Sequence, residues 1–315
     1  MSDKPGLLLV GELPEWDVAA LEADFHVFHY WRAADKAAML AEARDSTVAI
    51  VTKGEIGADG ALMDALPKTK IIACYGVGVD AIDLDAARAR GIPVTNTPDV
   101  LTEEVADFAI LLMLGAARRV RDGDAWVRSG AWAARGPMAL TTRVSGKRLG
   151  IVGLGRIGSA IARRAEGFGM PIAYSARTRK DGVAYDWYPT PAAMAPHVDV
   201  LCVAAAGGAA TRGLVDRTAI EALPPGVIFV NVSRGTVVDE AALLDALRQG
   251  RIGAAGLDVF LNEPNIDPEF LTFPNVLLQP HAASGSIETR KDMGRLMREN
   301  VAAAMAGRTL PTRIA

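Results

Sequence analysis

The chain has 315 residues, half of them apolar and 23% charged, with a net charge of −3. That length is more than one core usually fills and argues for two domains, and the mild acidity gives no electrostatic reason to expect nucleic acid or anionic lipid as a partner. The apolar run from Leu7 to Val10 is too short for a signal-peptide core, and no run approaches the roughly 20 residues of a membrane span, so a cytoplasmic location is expected.

From the N-terminus onward, strand-like apolar runs alternate with Ala-rich amphipathic stretches. The runs predict strands at Gly6–Val10, Val48–Thr52, Ile71–Cys74, Ile92–Thr95, Gly150–Val152, Pro171–Tyr174, Val198–Val203, Val227–Val232, Gly253–Leu257 and Val276–Leu278. Several are continuous rather than alternating, as parallel strands buried on both faces require. Helices are predicted at Asp59–Leu66, Gly158–Phe168, Asp216–Leu223 and Glu240–Gln249, the last with Asp239-Glu240 at its positive end and Gly250 as a stop. Such alternation predicts an α/β fold built on mainly parallel sheets.

Two places break the pattern. Pro98-Asp99 precedes a long apolar helix predicted from Glu103 to about Val120, which puts a domain boundary near residue 98. The stretch from Arg121 to Ser145 carries Trp, Gly and Arg with no clean period, and reads as an arm that packs outside its own core. A final helix is predicted over Ser286–Met305, returning to the first domain. Cys74 and Cys202 lie within apolar runs and read as core residues. Four histidines and no Cys/His cluster of ligand spacing argue against a metal site.

The chemistry-bearing motifs sit at strand ends. Gly153-Leu154-Gly155-Arg156-Ile157-Gly158 follows one strand and opens a helix, the context a dinucleotide loop requires. One glycine makes the turn, one admits the pyrophosphate and one lets helix meet strand, with the phosphates on the helix N-terminus. The next strand ends in Tyr174-Ser175-Ala176-Arg177-Thr178-Arg179-Lys180. An NAD site places an acid there for the ribose 2′-hydroxyl; Ser175, Arg177, Thr178 and Arg179 instead suit a 2′-phosphate, so NADP(H) is favoured over NAD(H). A second match, Gly76-Val77-Gly78-Val79-Asp80-Ala81, has too short a helix after it and no ribose-binding acid; its backbone N–H groups suit a carboxylate instead. Arg234, Glu263 and His281 follow three successive predicted strands. Hydride delivery to a keto carbon builds negative charge on its oxygen, which a proton donor and a fixed cation stabilise. A carboxylate beside the histidine favours its protonated form.

Taken together, Gly153-x-Gly155-x-x-Gly158, Asn231-Val232-Ser233-Arg234-Gly235, Gly256-Leu257-Asp258-Val259-Phe260, Glu263-Pro264 and Pro280-His281 resemble the D-isomer-specific 2-hydroxyacid dehydrogenase family, over essentially the whole chain. Within it the sequence is most similar to the glyoxylate/hydroxypyruvate reductases, which usually prefer NADPH. The resemblance implies two Rossmann-like domains with doubly wound parallel sheets: a discontinuous substrate domain (1–98 and 285–315) and a dinucleotide-binding domain (99–284). It implies His281 as proton donor, Glu263 as its partner, Arg234 as substrate anchor, and Val232 and Asp258 on the cofactor side. Val77 and Gly78 would hold the substrate carboxylate, and Ser284 and Lys53 would line the pocket. It further implies a homodimer in which the 121–145 arm, with Trp132, reaches the partner. Ala204-Ala205-Ala206-Gly207-Gly208 departs from the Pro-rich turn of many members. Glu263 counts against formate dehydrogenase, which pairs its histidine with Gln. The length leaves no room for the regulatory domain of many phosphoglycerate dehydrogenases. Reductases of 2-ketogluconate or phenylpyruvate stay open as alternatives, as does a nucleotide-sensing binding protein.

Overall fold

The computed structural model describes residues 4–315, which form two compact units. One comprises the chain up to Leu101 together with Gly285–Ala315; the other is Thr102–Ser284.

The first unit holds five parallel strands: β1 (Gly6–Leu9), β2 (His26–His29), β3 (Thr47–Thr52), β4 (Ile71–Cys74) and β5 (Val94–Thr95). Their order is β2-β1-β3-β4-β5. Helices α1 (Glu15–Asp24), α2 (Lys36–Ala43), α3 (Gly60–Ala65) and α4 (Leu84–Ala89) connect them. The C-terminal helix Ile287–Met305 packs on β4 and on α1, its start capped by Ser286. β1 and β4 are buried at every position, which is why each reads as an unbroken apolar run. β2 is an edge strand with one buried residue, Phe28, so its sequence His26-Val27-Phe28-His29 carries no such run, and it is absent from the predicted strands.

The second unit begins with α5 (Thr102–Ala117), α6 (Val120–Arg128) and α7 (Ala131–Arg135). Its sheet has seven parallel strands: β6 (Leu149–Val152), β7 (Ile172–Ser175), β8 (Asp186–Tyr188), β9 (Val200–Val203), β10 (Val227–Asn231), β11 (Ile252–Leu257) and β12 (Val276–Leu278). Between them run α8 (Arg156–Glu166), α9 (Pro191–Met194), α10 (Arg217–Glu221) and α11 (Glu240–Arg248). The order is β12-β11-β10-β9-β6-β7-β8. Both units are thus parallel α/β sheets of the Rossmann-like kind, as the alternating pattern predicts. α5 lies across β10 and β11. The approach is close at Gly256, where a Cβ would stand 2.8 Å from Leu112 Cβ.

The long helix predicted to Val120 ends at Ala117, and Arg119 adopts a left-handed backbone (φ 50°) before α6 starts. The 121–145 arm is not irregular throughout, since it contains α7 and most of α6. α6 has no buried residue and its Val120 and Val127 are exposed, although its apolar residues do fall on one stripe of the helix. Among the described residues, no helix is long and apolar enough to cross a membrane.

Candidate active site

In the second unit the strand order reverses at β6, which pairs with β9 on one side and β7 on the other. Chains leaving the two flanks diverge there, and ligands of open α/β sheets bind in the crevice beyond the carboxyl ends of the strands. The loop Gly153–Gly158 leaves β6 at this point. Its three glycines have three different surroundings. Gly153 has a left-handed backbone (φ 92°), and a Cβ on it would lie 2.6 Å from Ala205 Cα. Ala205 belongs to the Ala-rich loop that replaces the Pro-rich turn, so that loop seats directly on the glycine turn. A Cβ on Gly158 would come within 2.1 Å of the Gly153 carbonyl oxygen, the close contact that lets α8 start immediately after the turn. A Cβ on Gly155 would meet nothing within 4 Å. The α8 N-terminus has no side-chain cap and no acid in its first turn. Open space at Gly155 and uncapped amides fit a pyrophosphate. Leu154 is buried under the loop, Ile157 is half-buried, and Arg156 is exposed at the helix start.

Ser175 is the buried last residue of β7, and Arg177, Thr178 and Arg179 follow it on the surface. The loop is pinned from within the sheet at both ends. The Tyr174 hydroxyl, on a fully buried ring, accepts the Lys180 N–H at 2.8 Å. Trp187 on β8 donates its indole N–H to the Ala176 carbonyl at 3.0 Å. Neither Arg177 nor Arg179 forms an ion pair among the described residues. Two guanidinium groups on an anchored turn are a ready anion site.

Beyond β10, β11 and β12 stand the other predicted residues. Asn231 closes the turn after β10: its Oδ1 accepts the Ser233 N–H at 3.0 Å and its Nδ2 donates to the Arg234 carbonyl at 3.3 Å. Arg234 Nη1 donates to the Ser233 carbonyl at 2.8 Å. Gly235 lies against the next strand end, where a Cβ would be 2.0 Å from the Phe260 carbonyl carbon. Glu263 folds back to accept the Phe260 N–H at 2.8 Å, and its other oxygen meets His281 Nδ1 at 2.7 Å. Burial raises the Glu263 carboxyl, but His281, the Phe260 N–H and Arg234 outweigh it and hold it below its usual range. Glu263 is therefore an anion at neutral pH, and its contact places a proton on His281 Nδ1. His281 Nε2 has no partner among the described residues.

His281 itself has φ 52°, a left-handed backbone uncommon for a residue other than glycine. What holds it is Asp258, 1% exposed. Asp258 accepts the Ala282 N–H at 2.7 Å on one oxygen and the Ala283 N–H at 3.0 Å on the other, while its carbonyl accepts the His281 N–H at 2.8 Å. Burial raises the Asp258 carboxyl, and the two N–H groups offset that only in part. Val232 is buried just past β10, and Ser284 is half-buried three residues after His281.

The remaining predicted residues lie in the first unit, also at carboxyl ends of strands: Lys53 after β3, and Val77 and Gly78 after β4. Sequence reasoning gave no role at the site to Asn231, Tyr174 or Trp187, and gave Glu240 only that of an acid at a helix start. Glu240 is raised by burial and accepts the Leu261 N–H at 2.9 Å, so it supports the same loop as Glu263. Asn231 had a signal, since it stands inside a quoted motif; the others act through contacts that only the backbone path reveals.

A dinucleotide loop on a parallel α/β sheet, with Arg, Glu and His at consecutive strand ends, defines a nicotinamide-dependent oxidoreductase. Residues 110–283 match the D-isomer specific 2-hydroxyacid dehydrogenase NAD binding domain, and the chain belongs to the D-isomer specific 2-hydroxyacid dehydrogenase family. It is 44% identical to glyoxylate/hydroxypyruvate reductase A of Arabidopsis thaliana, covering 98% of each chain. It is 41% identical to 2-ketogluconate reductase of Gluconobacter oxydans, covering 99% of each. The crystal structure of NADPH-dependent glyoxylate/hydroxypyruvate reductase from Sinorhizobium meliloti, in complex with NADP and malonate, is similar at a TM-score of 0.93 and 42% identity. That likeness covers 99% of this chain and 97% of the other.

The surroundings of the glycines separate ligand from scaffold. Gly155→Ala is expected to fold with a melting temperature within about 2 °C of wild type, because the methyl meets no protein atom, yet to weaken NADPH binding about tenfold or more, roughly 1.4 kcal/mol. Gly158→Ala is expected to lower the melting temperature as well. Fluorescence titration and thermal melts read both; unimpaired NADPH binding by Gly155→Ala would exclude a phosphate at that glycine.

Proposed function

We propose that the protein reduces small 2-keto acids of the glyoxylate and hydroxypyruvate kind to D-2-hydroxy acids, with NADPH preferred over NADH. The observation that carries the reading is the 2.7 Å contact between His281 Nδ1 and the Glu263 carboxylate, at the end of the strand next to the one that orients Arg234. Bound nicotinamide would supply the hydride to the keto carbon. His281 would give its Nε2 proton to the carbonyl oxygen, and Glu263 would stabilise the imidazolium from the far side. Arg234 would hold the substrate as a planar fork, and the N–H groups of Val77 and Gly78 its carboxylate. Lys53 and Ser284 are further candidates for contact with the substrate. The names of the Arabidopsis and Sinorhizobium relatives support this substrate class; that of the Gluconobacter relative keeps longer keto acids in any panel.

His281→Ala is expected to cut kcat with glyoxylate by at least the roughly 10²–10⁴-fold typical of a general acid, with the Kd for NADPH nearly kept. Glu263→Gln retains an acceptor but not the charge. Its kcat with glyoxylate is expected to fall, though by less than that of His281→Ala. Near-wild-type turnover by His281→Ala would rule out the assignment.

The preference for NADPH rests on Ser175, Arg177 and Arg179, with Thr178 between them, on the pinned turn. Charge-assisted bonds from arginine are worth roughly 1.5–3 kcal/mol each, so kcat/KM should favour NADPH by at least about tenfold. Ser175→Asp with Arg177→Ala should bring NADH level, mainly through KM. Equal efficiency of wild type with both cofactors would return the arginines to a solvated turn.

We also propose a homodimer formed through the arm. Trp132 is 61% exposed, and Val120, Val127 and Leu140 are exposed on the same segment, more apolar surface than a free arm usually carries. Sedimentation at micromolar concentration should give a dimer that Trp132→Ala weakens by about 2 kcal/mol or more; a monomeric wild type would contradict this.

A further inference from the structure

The loop after β4 runs Gly76-Val77-Gly78-Val79, and three successive carbonyls of it are turned into the first unit. Gly76 O accepts the Thr97 N–H at 2.9 Å. Val77 O accepts Asn96 Nδ2 at 2.8 Å. Gly78 O accepts the Cys74 thiol at 3.3 Å. Gly54 closes on the same oxygen, where a Cβ would be 2.0 Å away. In a planar trans peptide the C=O and the following N–H point in opposite directions. Fixing the Gly76, Val77 and Gly78 carbonyls inward therefore turns the N–H groups of Val77, Gly78 and Val79 outward. Those of Val77 and Gly78 have no acceptor among the described residues. Successive outward amides form a concavity for an anionic oxygen.

Asn96 is in turn held by the C-terminal segment. Thr312 Oγ1 donates to the Asn96 carbonyl at 2.6 Å. The fully buried Asn300 donates to that same hydroxyl at 2.8 Å, and its Oδ1 accepts the Thr312 N–H at 3.2 Å. The Asn96 side chain spends only its amide N–H on the loop: its Oδ1 is buried with no partner. A carboxylate at 96 could not donate to Val77 O, and one of its oxygens would face that carbonyl.

We propose that Asn96 and Cys74 are positioning residues of the carboxylate site: Asn96 fixes the Val77 carbonyl and so aims the Gly78 N–H at the substrate's carboxylate, and Cys74 fixes the Gly78 carbonyl and so holds the next peptide of the same loop in place, with Thr312 and Asn300 bracing Asn96 from the C-terminal segment. This rests on the reading of the Val77–Gly78 loop as the carboxylate anchor. It gives a buried thiol a task other than filling the core, and it lets the last residues of the chain act on substrate affinity without touching the substrate.

The test measures KM for glyoxylate, inhibition by malonate as a carboxylate that cannot be reduced, and the Kd for NADPH, on the full-length protein. Asn96→Asp is expected to raise KM and the malonate inhibition constant together, by about tenfold for the loss of one buried hydrogen bond. The Kd for NADPH should stay within twofold. Cys74→Ala should raise the same two constants by a few-fold, and Cys74→Ser, whose hydroxyl can donate to Gly78 O, should restore them. Thr312→Val should act in the same direction as Asn96→Asp. If Asn96→Asp does not fold, the Cys74→Ala and Cys74→Ser pair decides. Variants that bind malonate and glyoxylate like wild type would overturn the proposal, as would equal weakening of NADPH, which indicates general damage. A wild type that malonate does not inhibit in competition with glyoxylate would instead remove the carboxylate reading on which the proposal stands.

Discussion

The candidate site depends on one buried carboxylate. Asp258 directly follows β11, the strand between β10 and β12, and both its oxygens are taken by the N–H groups of Ala282 and Ala283. This ties the end of β11 to the turn after β12. It also makes tolerable a left-handed His281, a conformation that costs of order 1–3 kcal/mol where nothing compensates. An isolated carboxylate out of water is expensive, and the pair of N–H groups is what keeps this one in place. The imidazole then meets Glu263, whose loop is fixed by the Phe260 N–H on one side and by Glu240, through Leu261, on the other. Strain at the turn and order at the imidazole have the same source.

Parallel strands explain why these groups gather. Each strand delivers its last residue to the same edge of the sheet, so residues far apart in sequence become neighbours without a long loop between them. Close backbone contacts then set the spacing. Gly235 against Phe260, and Gly158 against Gly153, are places where even a methyl group would force the chain apart. The glycine at 155 differs in kind, because its Cβ would meet only open space. The motif glycines therefore divide between those packed against the scaffold and one that faces open space.

Much of this was legible in the sequence. Strands buried on both faces write themselves as unbroken apolar runs, and Arg234, Glu263 and His281 were found because each follows such a run. Edge strands β2 and β8 were not, since Asp186-Trp187-Tyr188 and His26-Val27-Phe28-His29 face solvent on one side and carry no run. The departures from expectation at the site are additions of role. Asp258, expected on the cofactor side by resemblance, also clamps the His281 turn. Cys74, read as a core residue, is buried but donates to a loop carbonyl. Tyr174 lies in a predicted strand and Trp187 in none, and each uses its polar tip to hold the basic turn. None of these tasks is encoded in residue type or spacing; each depends on where a backbone N–H or C=O comes to rest.

The clamp is the centre of this account, and one substitution reaches it directly. Asp258→Asn keeps the shape but sets an amide NH₂ against one of the two N–H groups, leaving a buried donor unmatched at a cost of roughly 1–3 kcal/mol. The measurement is kcat for glyoxylate at saturating NADPH, where any change in cofactor affinity drops out. The account predicts a fall of about tenfold or more as the His281 turn loosens. Turnover at the wild-type rate would contradict it, because the His281 turn would then be held by something other than Asp258.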